Sequence, residues 1–273
     1  MKLEGRVAVV TGSGHGIGQA TAMALAREGA DLAIVDINLE AARNVARDIE
    51  AIGRRAVVIR ADVTRGKESS DMVATVLGRF GKVDILVNNV GGSLRDRVCE
   101  FKDATEDMWD YIIETNLKSL RNCTRAVIDH MIQRRTGKIV SIASFVGIIG
   151  GPGLVDYSTA KAGVIGFTQS LAKEVGRYGI NVNCVSPGVI DTGHLGGLIS
   201  RRDLVDIMGG SVSKGALRRF GAPEDIANAV AFLVCDEAGY VTGQNLAVCG
   251  GSSIAGGASI LGEEFVWGKG GVS

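Results

Sequence analysis

The sequence predicts an α/β protein: a doubly wound, seven-stranded parallel sheet with helices on both faces. Three observations carry this. Short apolar runs rich in β-branched residues alternate with stretches long enough for helices. The connections are short, which implies right-handed crossovers and therefore parallel strands. The clusters at Gly12, Asn88, Ser144 and Pro187 each follow a run that reads as a strand. In open sheets of this kind ligands bind outside the carboxyl ends of the strands, at a reversal of strand order.

Arg6 to Thr11 (Arg-Val-Ala-Val-Val-Thr) reads as the first strand, apolar enough to be covered on both faces. Gly12-Ser13-Gly14-His15-Gly16-Ile17-Gly18 follows, then a helical pattern through Ala20, Met23, Ala24 and Leu25 to a stop at Gly29. Glycines let a backbone approach a pyrophosphate, and a helix N-terminus offers N–H groups and a positive dipole end. The second strand, Asp31 to Asp36, ends in an acid at the distance expected for a ribose-binding carboxylate. Strand, glycine turn, helix and acid together make a Rossmann-like dinucleotide site. Asp36 also reads as an N-cap for the helix that follows from Asn38. Its charge would repel a 2′-phosphate, so NAD is the expected cofactor, and Ile37 offers no compensating cation. His15 complicates this, because cationic residues in the loop accompany NADP in some proteins; a histidine is mostly neutral at pH 7.

The remaining strands are expected near 55–61, 83–88, 137–143, 180–186 and 245–249, with long helices near 105–133 and 155–177. In the second of these helices, Tyr157 and Lys161 are four residues apart and share one face. A tyrosine ionises near pH 10, and a lysine ammonium beside it favours the phenolate. The pair therefore reads as a general acid/base for moving a proton on or off an alcohol oxygen. Alone it reads more readily as a snorkelling lysine beside a half-buried aromatic, and the rest of the chain supplies its partners.

These motifs, in this order, resemble the short-chain dehydrogenase/reductase family of the common single-domain type, over nearly everything from Lys2 to about Ser252. The opening Thr-Gly-x-x-x-Gly-x-Gly motif appears as Thr11 to Gly18. The family's adenine-contacting Asp-Val pair resembles Asp62-Val63. Its Asn-Asn-Ala-Gly motif appears as Asn88-Asn89-Val90-Gly91, with valine in place of alanine. The resemblance implies a catalytic tetrad of Asn116, Ser144, Tyr157 and Lys161, with Ser141 as a nearby competitor for the serine. It places Pro187-Gly188, Ile190 and Thr192 at the nicotinamide carboxamide, and Lys161 on the nicotinamide ribose. Taken singly, Asn88, Asn116, Ser144 and Pro187-Gly188 also read as turn, helix or strand-end residues.

Length and composition suit one α/β domain over residues 1–252 with a C-terminal extension over 253–273. The 30 basic and 30 acidic residues cancel, so nothing points to nucleic acid or to an acidic surface. The five cysteines are scattered and form no Cys-x-x-Cys, which fits reduced thiols in a cytoplasmic protein and argues against a metal site. Lys2, Glu4 and Arg6 interrupt any apolar signal segment. The apolar stretch Ile139 to Val155 contains Ser141, Ser144, glycines and Pro152, so it is not a membrane span.

The substrate is expected to meet Ser144, Tyr157, Leu94, Phe145, Val146 and Leu154. A lid is expected over about 193–217, hinged at Gly196-Gly197 and Gly209-Gly210. The apolar wall points to a hydrophobic or cyclic secondary alcohol and its ketone as the small-molecule partner. Two alternatives remain. One is a 3-oxoacyl/3-hydroxyacyl thioester enzyme acting on acyl carrier protein or CoA, for which Arg95, Arg97, Arg201 and Arg202 would meet the carrier. The resemblance gives that class a usual preference for NADPH, against which Asp36 argues. The other is a non-catalytic cofactor-binding subunit. The resemblance also implies a homotetramer. The tail, with Phe265 and Trp267, reads either as an anchor or as disordered.

Overall fold

The computed structural model describes residues 1–93, 99–193 and 215–254. Strand and helix alternate: β1 (Val7–Thr11), α1 (Gly16–Arg27), β2 (Asp31–Asp36), α2 (Leu39–Ala51), β3 (Ala56–Arg60), α3 (Gly66–Phe80) and β4 (Ile85–Asn88). Then come α4 (Glu106–Ile113), α5 (Ser119–Arg134), β5 (Gly137–Ile142), the short α6 (Val146–Ile149), α7 (Val155–Val175), β6 (Ile180–Pro187), α8 (Pro223–Val234) and β7 (Asn245–Val248). The seven strands form one sheet in the order β3-β2-β1-β4-β5-β6-β7. Every pairing is parallel. Strand order reverses between β1 and β4, so the ligand crevice of such a sheet opens beside Thr11 and Asn88.

Residues of β1, β2 and β4 are buried at every position, as a sheet covered on both faces requires. Alternation along β1 feeds two cores. Ala8 and Val10 pack with Leu25, Ile34, Ile49 and Ile226 beneath α1, α2 and α8. Val7 and Val9 pack with Met72, Val76, Leu86 and Met131 beneath α3 and α5. Full burial of each such Val, Leu or Ile is worth about 1.5–3 kcal/mol. The apolar runs of β1, β2 and β4 end in Thr11, Asp36 and Asn88, so polar groups gather at the carboxyl edge.

Strand bounds agree with the sequence reading to within two residues. The long helix expected near 105–133 does not run unbroken. A five-residue π segment, Glu114–Lys118, separates α4 from α5 and carries Asn116 at its centre. The cap of α2 is Asn38, whose side chain accepts from the Ala41 N–H, so Asp36 is not the N-cap. Cys123 and Cys184 are buried, and burial pushes their thiols up to about 12 and about 11. No helix among the described residues is long and apolar enough to cross a membrane.

At the opposite, amino edge of the sheet, Asp84 is only 2% exposed. It accepts the Val7 N–H at 2.8 Å and Arg134 Nη2 at 2.8 Å, and pairs with Lys82 at 3.1 Å. Burial would raise its pKa; the bonds from Arg134, Val7 and Lys82 outweigh burial and hold it below the ordinary carboxylate value.

Candidate active site

The glycine turn is held from three sides. Gly12 takes a left-handed φ of 62°, and a Cβ on Gly18 would lie 2.1 Å from the Gly12 carbonyl oxygen, so no side chain fits there. Asn89 Nδ2 donates to the Thr11 and Gly12 carbonyls, each at 3.0 Å, and the Asn89 N–H donates to Thr11 Oγ1 at 3.1 Å. Asp36, 5% exposed, accepts the Gly14 N–H on Oδ2 at 2.8 Å and the Asn38 N–H on Oδ1 at 2.9 Å. His15 is the N-cap of α1 and its side chain makes no capping bond; the N–H groups of a first helical turn are suited to an anion. Ile17 is half-buried and Ile37 is 66% exposed. Ser13, grouped with these residues in the sequence, turns inward instead. It is fully buried, donates to the Val10 carbonyl at 2.8 Å and accepts from the Val35 N–H at 3.0 Å. Its hydroxyl ties β1 to β2.

On the other side of the crevice, Lys161 is buried on α7. Its Nζ donates to the Ile142 carbonyl at 2.9 Å and lies 5.5 Å from the centroid of the Tyr157 ring. Burial lowers its pKa to about 8. Asn116 is held by the π segment. Its Nδ2 donates to the Ile112 carbonyl at 2.8 Å, one turn back, and to the Gly92 carbonyl at 2.9 Å; its Oδ1 accepts from the Gly92 N–H at 3.2 Å. A π turn shifts the backbone pairing by one residue, and here the Asn116 amide takes up the Ile112 carbonyl. A Cβ on Gly91 would stand 2.6 Å from Asn116 Oδ1 and 2.8 Å from Lys161 Nζ, so both groups converge over that glycine. Ser144 lies two residues past β5, 8% exposed, and its Oγ accepts from the Val146 N–H at 3.4 Å. Ser141 lies within β5, where its Oγ accepts from Asn88 Nδ2 at 3.3 Å.

The arrangement pairs a cradle for a dinucleotide with a tyrosine and a lysine on α7 and a serine just past β5. A family model described as enoyl-(acyl carrier protein) reductase matches residues 12–253. The chain is a short-chain dehydrogenase/reductase. It is 41% identical to the (2S)-[(R)-hydroxy(phenyl)methyl]succinyl-CoA dehydrogenase subunit BbsD of Thauera aromatica, over 93% of this chain and 99% of that one. It is 38% identical to the 3-oxoacyl-[acyl-carrier-protein] reductase FabG of Thermotoga maritima, over 92% and 99% of the two chains. A crystal structure described as a short-chain alcohol dehydrogenase from Sinorhizobium meliloti 1021 superposes with a TM-score of 0.86 at 35% identity, covering 93% of this chain and 98% of that one.

The other positions that the resemblance names lie at or just past the carboxyl ends of β3, β4 and β6. Thr192 packs against the glycine turn: a Cβ on Gly16 would lie 3.2 Å from Thr192 Cβ. Ile190 forms an isolated parallel bridge with Gly221. The bridge bonds use Val189 O and Asp191 N–H, so the backbone groups of Ile190 point the other way. The Pro187 carbonyl accepts from the Phe145 N–H at 3.0 Å, and Gly188 N–H donates to the Val248 carbonyl at 3.1 Å. Gly188 and Ile190 also border a cavity of about 180 Å3 shared with Leu217, Arg218 and Cys249. Asp62 Oδ1 accepts from the Thr64 N–H and hydroxyl, and the carbonyl of the buried Val63 accepts from Asn122 Nδ2 at 3.1 Å. Asn88 is buried between Thr124 and Ser141, while Val90 is half-buried.

On the substrate side, Val146 is buried, and Phe145 and Leu154 are half-buried. Leu94, Arg95, Arg97, Arg201, Arg202, most of the expected lid and the tail beyond Ile254 lie outside the described residues. Two features were missed by the sequence reading. Thr11 and Asn89 lock the glycine turn. A second wall beside Tyr157 comes from Cys99, Phe101, Ala104, Met108 and Ile112; the spacing of four between Met108 and Ile112 was its one visible signal.

Proposed function

We propose that this chain is an NAD-dependent oxidoreductase that interconverts 3-hydroxyacyl and 3-oxoacyl thioesters. The observation that carries the chemistry is the buried Lys161 set under the Tyr157 ring, with Asn116 meeting it over Gly91. The relatives favour the thioester over the simple secondary alcohol expected first: several are named 3-oxoacyl-[acyl-carrier-protein] reductases and one a succinyl-CoA-derivative dehydrogenase subunit.

Residues 1–252 serve as one cofactor-binding and catalytic domain. Backbone N–H groups of the Gly12–Gly18 turn hold the pyrophosphate, Asp36 the adenosine ribose, and Asp62-Val63 flank the adenine. Val90, Gly91, Pro187, Gly188, Ile190 and Thr192 surround the nicotinamide end. When bound, the nicotinamide supplies hydride acceptance from C3. Ser144 and Tyr157 hydrogen-bond the 3-hydroxyl, and Tyr157 takes its proton as the carbonyl forms. Lys161, when protonated, stabilises the negative charge that Tyr157 carries as base and holds the ribose hydroxyls. Asn116 fixes the floor beneath Lys161. The exposed Phe232 and Leu246, on α8 and the edge strand β7, support a homotetramer; the buried reduced thiols suit the cytoplasm.

Purified protein with 3-hydroxybutyryl-CoA and NAD, followed by nicotinamide absorbance, tests the reading. Turnover should fall about 10²–10⁴-fold in Tyr157→Phe with fold and NAD binding retained; undiminished activity sinks the mechanism. Asp36→Ala should raise the NADP-to-NAD ratio of kcat/KM roughly tenfold, because Arg60, the register neighbour of Asp36, is an exposed cation able to meet a 2′-phosphate. An unchanged ratio sinks the cofactor assignment.

A further inference from the structure

Beside Tyr157 lies a crevice of about 30 Å3, space for one or two water-sized groups. One wall is the turn before α4 and the inward face of that helix: Phe101, Ala104, Met108 and Ile112. The other is Gly153 to Tyr157 at the start of α7. Thr105 caps α4 through the Met108 N–H, and Ile112 is 3% exposed, so the helical wall is fixed at both ends. Met108, half-buried between them, is unbranched and adaptable.

We infer that this crevice receives the apolar chain carried on C3 of the substrate, and that Met108 sets the length it accepts. The inference rests on the thioester reading above. The crevice shares Tyr157 with the proton-transfer site, so it adjoins the place where that tyrosine meets the substrate. Its described lining holds no Lys, Arg or His, and Asp156 stands in it. Among the described lining, Asp156 would repel a carboxylate or a carrier phosphate, while an alkyl chain meets Phe101, Ala104, Met108, Ile112 and Leu154. The carrier end must leave by another side. The volume admits a methyl-sized chain, so the unaltered protein should prefer four-carbon to eight-carbon 3-hydroxyacyl thioesters.

Rates with the N-acetylcysteamine thioesters of 3-hydroxybutyrate and 3-hydroxyoctanoate, and with butan-2-ol and octan-2-ol, test this. Met108→Ala should raise the long-to-short ratio of kcat/KM at least tenfold, and Ala104→Leu, at a half-buried turn position outside the helix, should lower it. A purely packing role for Met108 would lower Tm and leave the ratio alone. Ratios unchanged in both variants overturn the crevice assignment. If only the alkanols turn over, the thioester reading falls, and the ratio read on the alkanols still decides the crevice. Silence on both series overturns both.

Discussion

The two edges of the sheet treat a buried charge in opposite ways. At the amino edge Asp84, 2% exposed, is met by a backbone N–H, Arg134 and Lys82. At the carboxyl edge Lys161, 3% exposed, donates to the neutral carbonyl of Ile142, and no carboxylate pairs with it among the described residues. The physical consequence is an opposite footing for the two charges. Partners hold Asp84 charged below its ordinary range, whereas burial drives Lys161 down to about 8, close to working pH. A charge that is fully satisfied contributes to stability and has nothing left for a ligand. A charge that is buried without a counter-ion costs stability and is poised to move a proton or accept a new partner. One edge anchors the sheet and the other holds its chemistry.

The largest expected effect comes from breaking the anchor. Asp84→Ala strands Arg134 and Lys82 and orphans the Val7 N–H at the start of β1. Arg134 and Lys82 are part-exposed and regain some solvent, so the cost is about 3 kcal/mol, the low end for breaking a buried pair, which for a chain of this size lowers Tm by roughly 10 °C. Because the site lies at the far end of the strands, kcat/KM below the transition should change less than about twofold. The linkage has a definite sign. Asp84 titrates lower folded than unfolded, so its stabilisation is present above the ordinary carboxylate pKa of 3.8 and is lost as pH falls through the depressed value. Thermal melts of the two proteins should therefore converge in acid. A parallel loss of stability and kcat/KM would dissolve the separation of the two edges.

The anchor and the crevice differ also in how much the sequence announces them. Strand placement was legible because each strand is a continuous apolar run bounded by turn residues, a local signal. The Gly12–Gly18 turn and Asp36 were legible because strand, turn and helix are contiguous. The inward turn of the Ser13 hydroxyl was not legible, since side-chain direction within a turn depends on what lies beneath it, here Val35 on the neighbouring strand. The break at Glu114–Lys118 was hidden because its cause is tertiary: the Asn116 amide reaches Gly92, 24 residues earlier in the chain. The wall opposite Tyr157 was hidden for the same reason, since Cys99, Phe101, Ala104, Met108 and Ile112 meet Gly153 to Tyr157 from far along the chain. Asp84 itself carries no motif; its importance follows from meeting Val7, 77 residues away, and Arg134, 50 residues away.

A smaller effect, opposite in sign, should appear at the carboxyl edge. Lys161→Met replaces a buried cation by an apolar chain of similar length. At pH 7 the folded protein bears the full cost of the buried ammonium. The drop from 10.5 to about 8, at about 1.36 kcal/mol per pH unit, makes that cost about 3 kcal/mol. Loss of the bond to the Ile142 carbonyl takes back about 1 kcal/mol, so Lys161→Met should be the more stable protein at pH 7 by about 2 kcal/mol, while losing turnover. The sign follows from proton counting. Between pH 8 and 10.5 folded Lys161 has released its proton and the unfolded chain has not, so the unfolded state binds more protons and stability of the unaltered protein rises with pH. The advantage of Lys161→Met should therefore shrink across this window and vanish near its upper end. Denaturant melts of both proteins at pH 7, 8, 9 and 10 measure the difference directly, and other titrating groups cancel between them. A variant less stable at pH 7, or a difference flat in pH, would mean that Lys161 is a satisfied structural charge like Asp84, and that the contrast between the two edges does not exist.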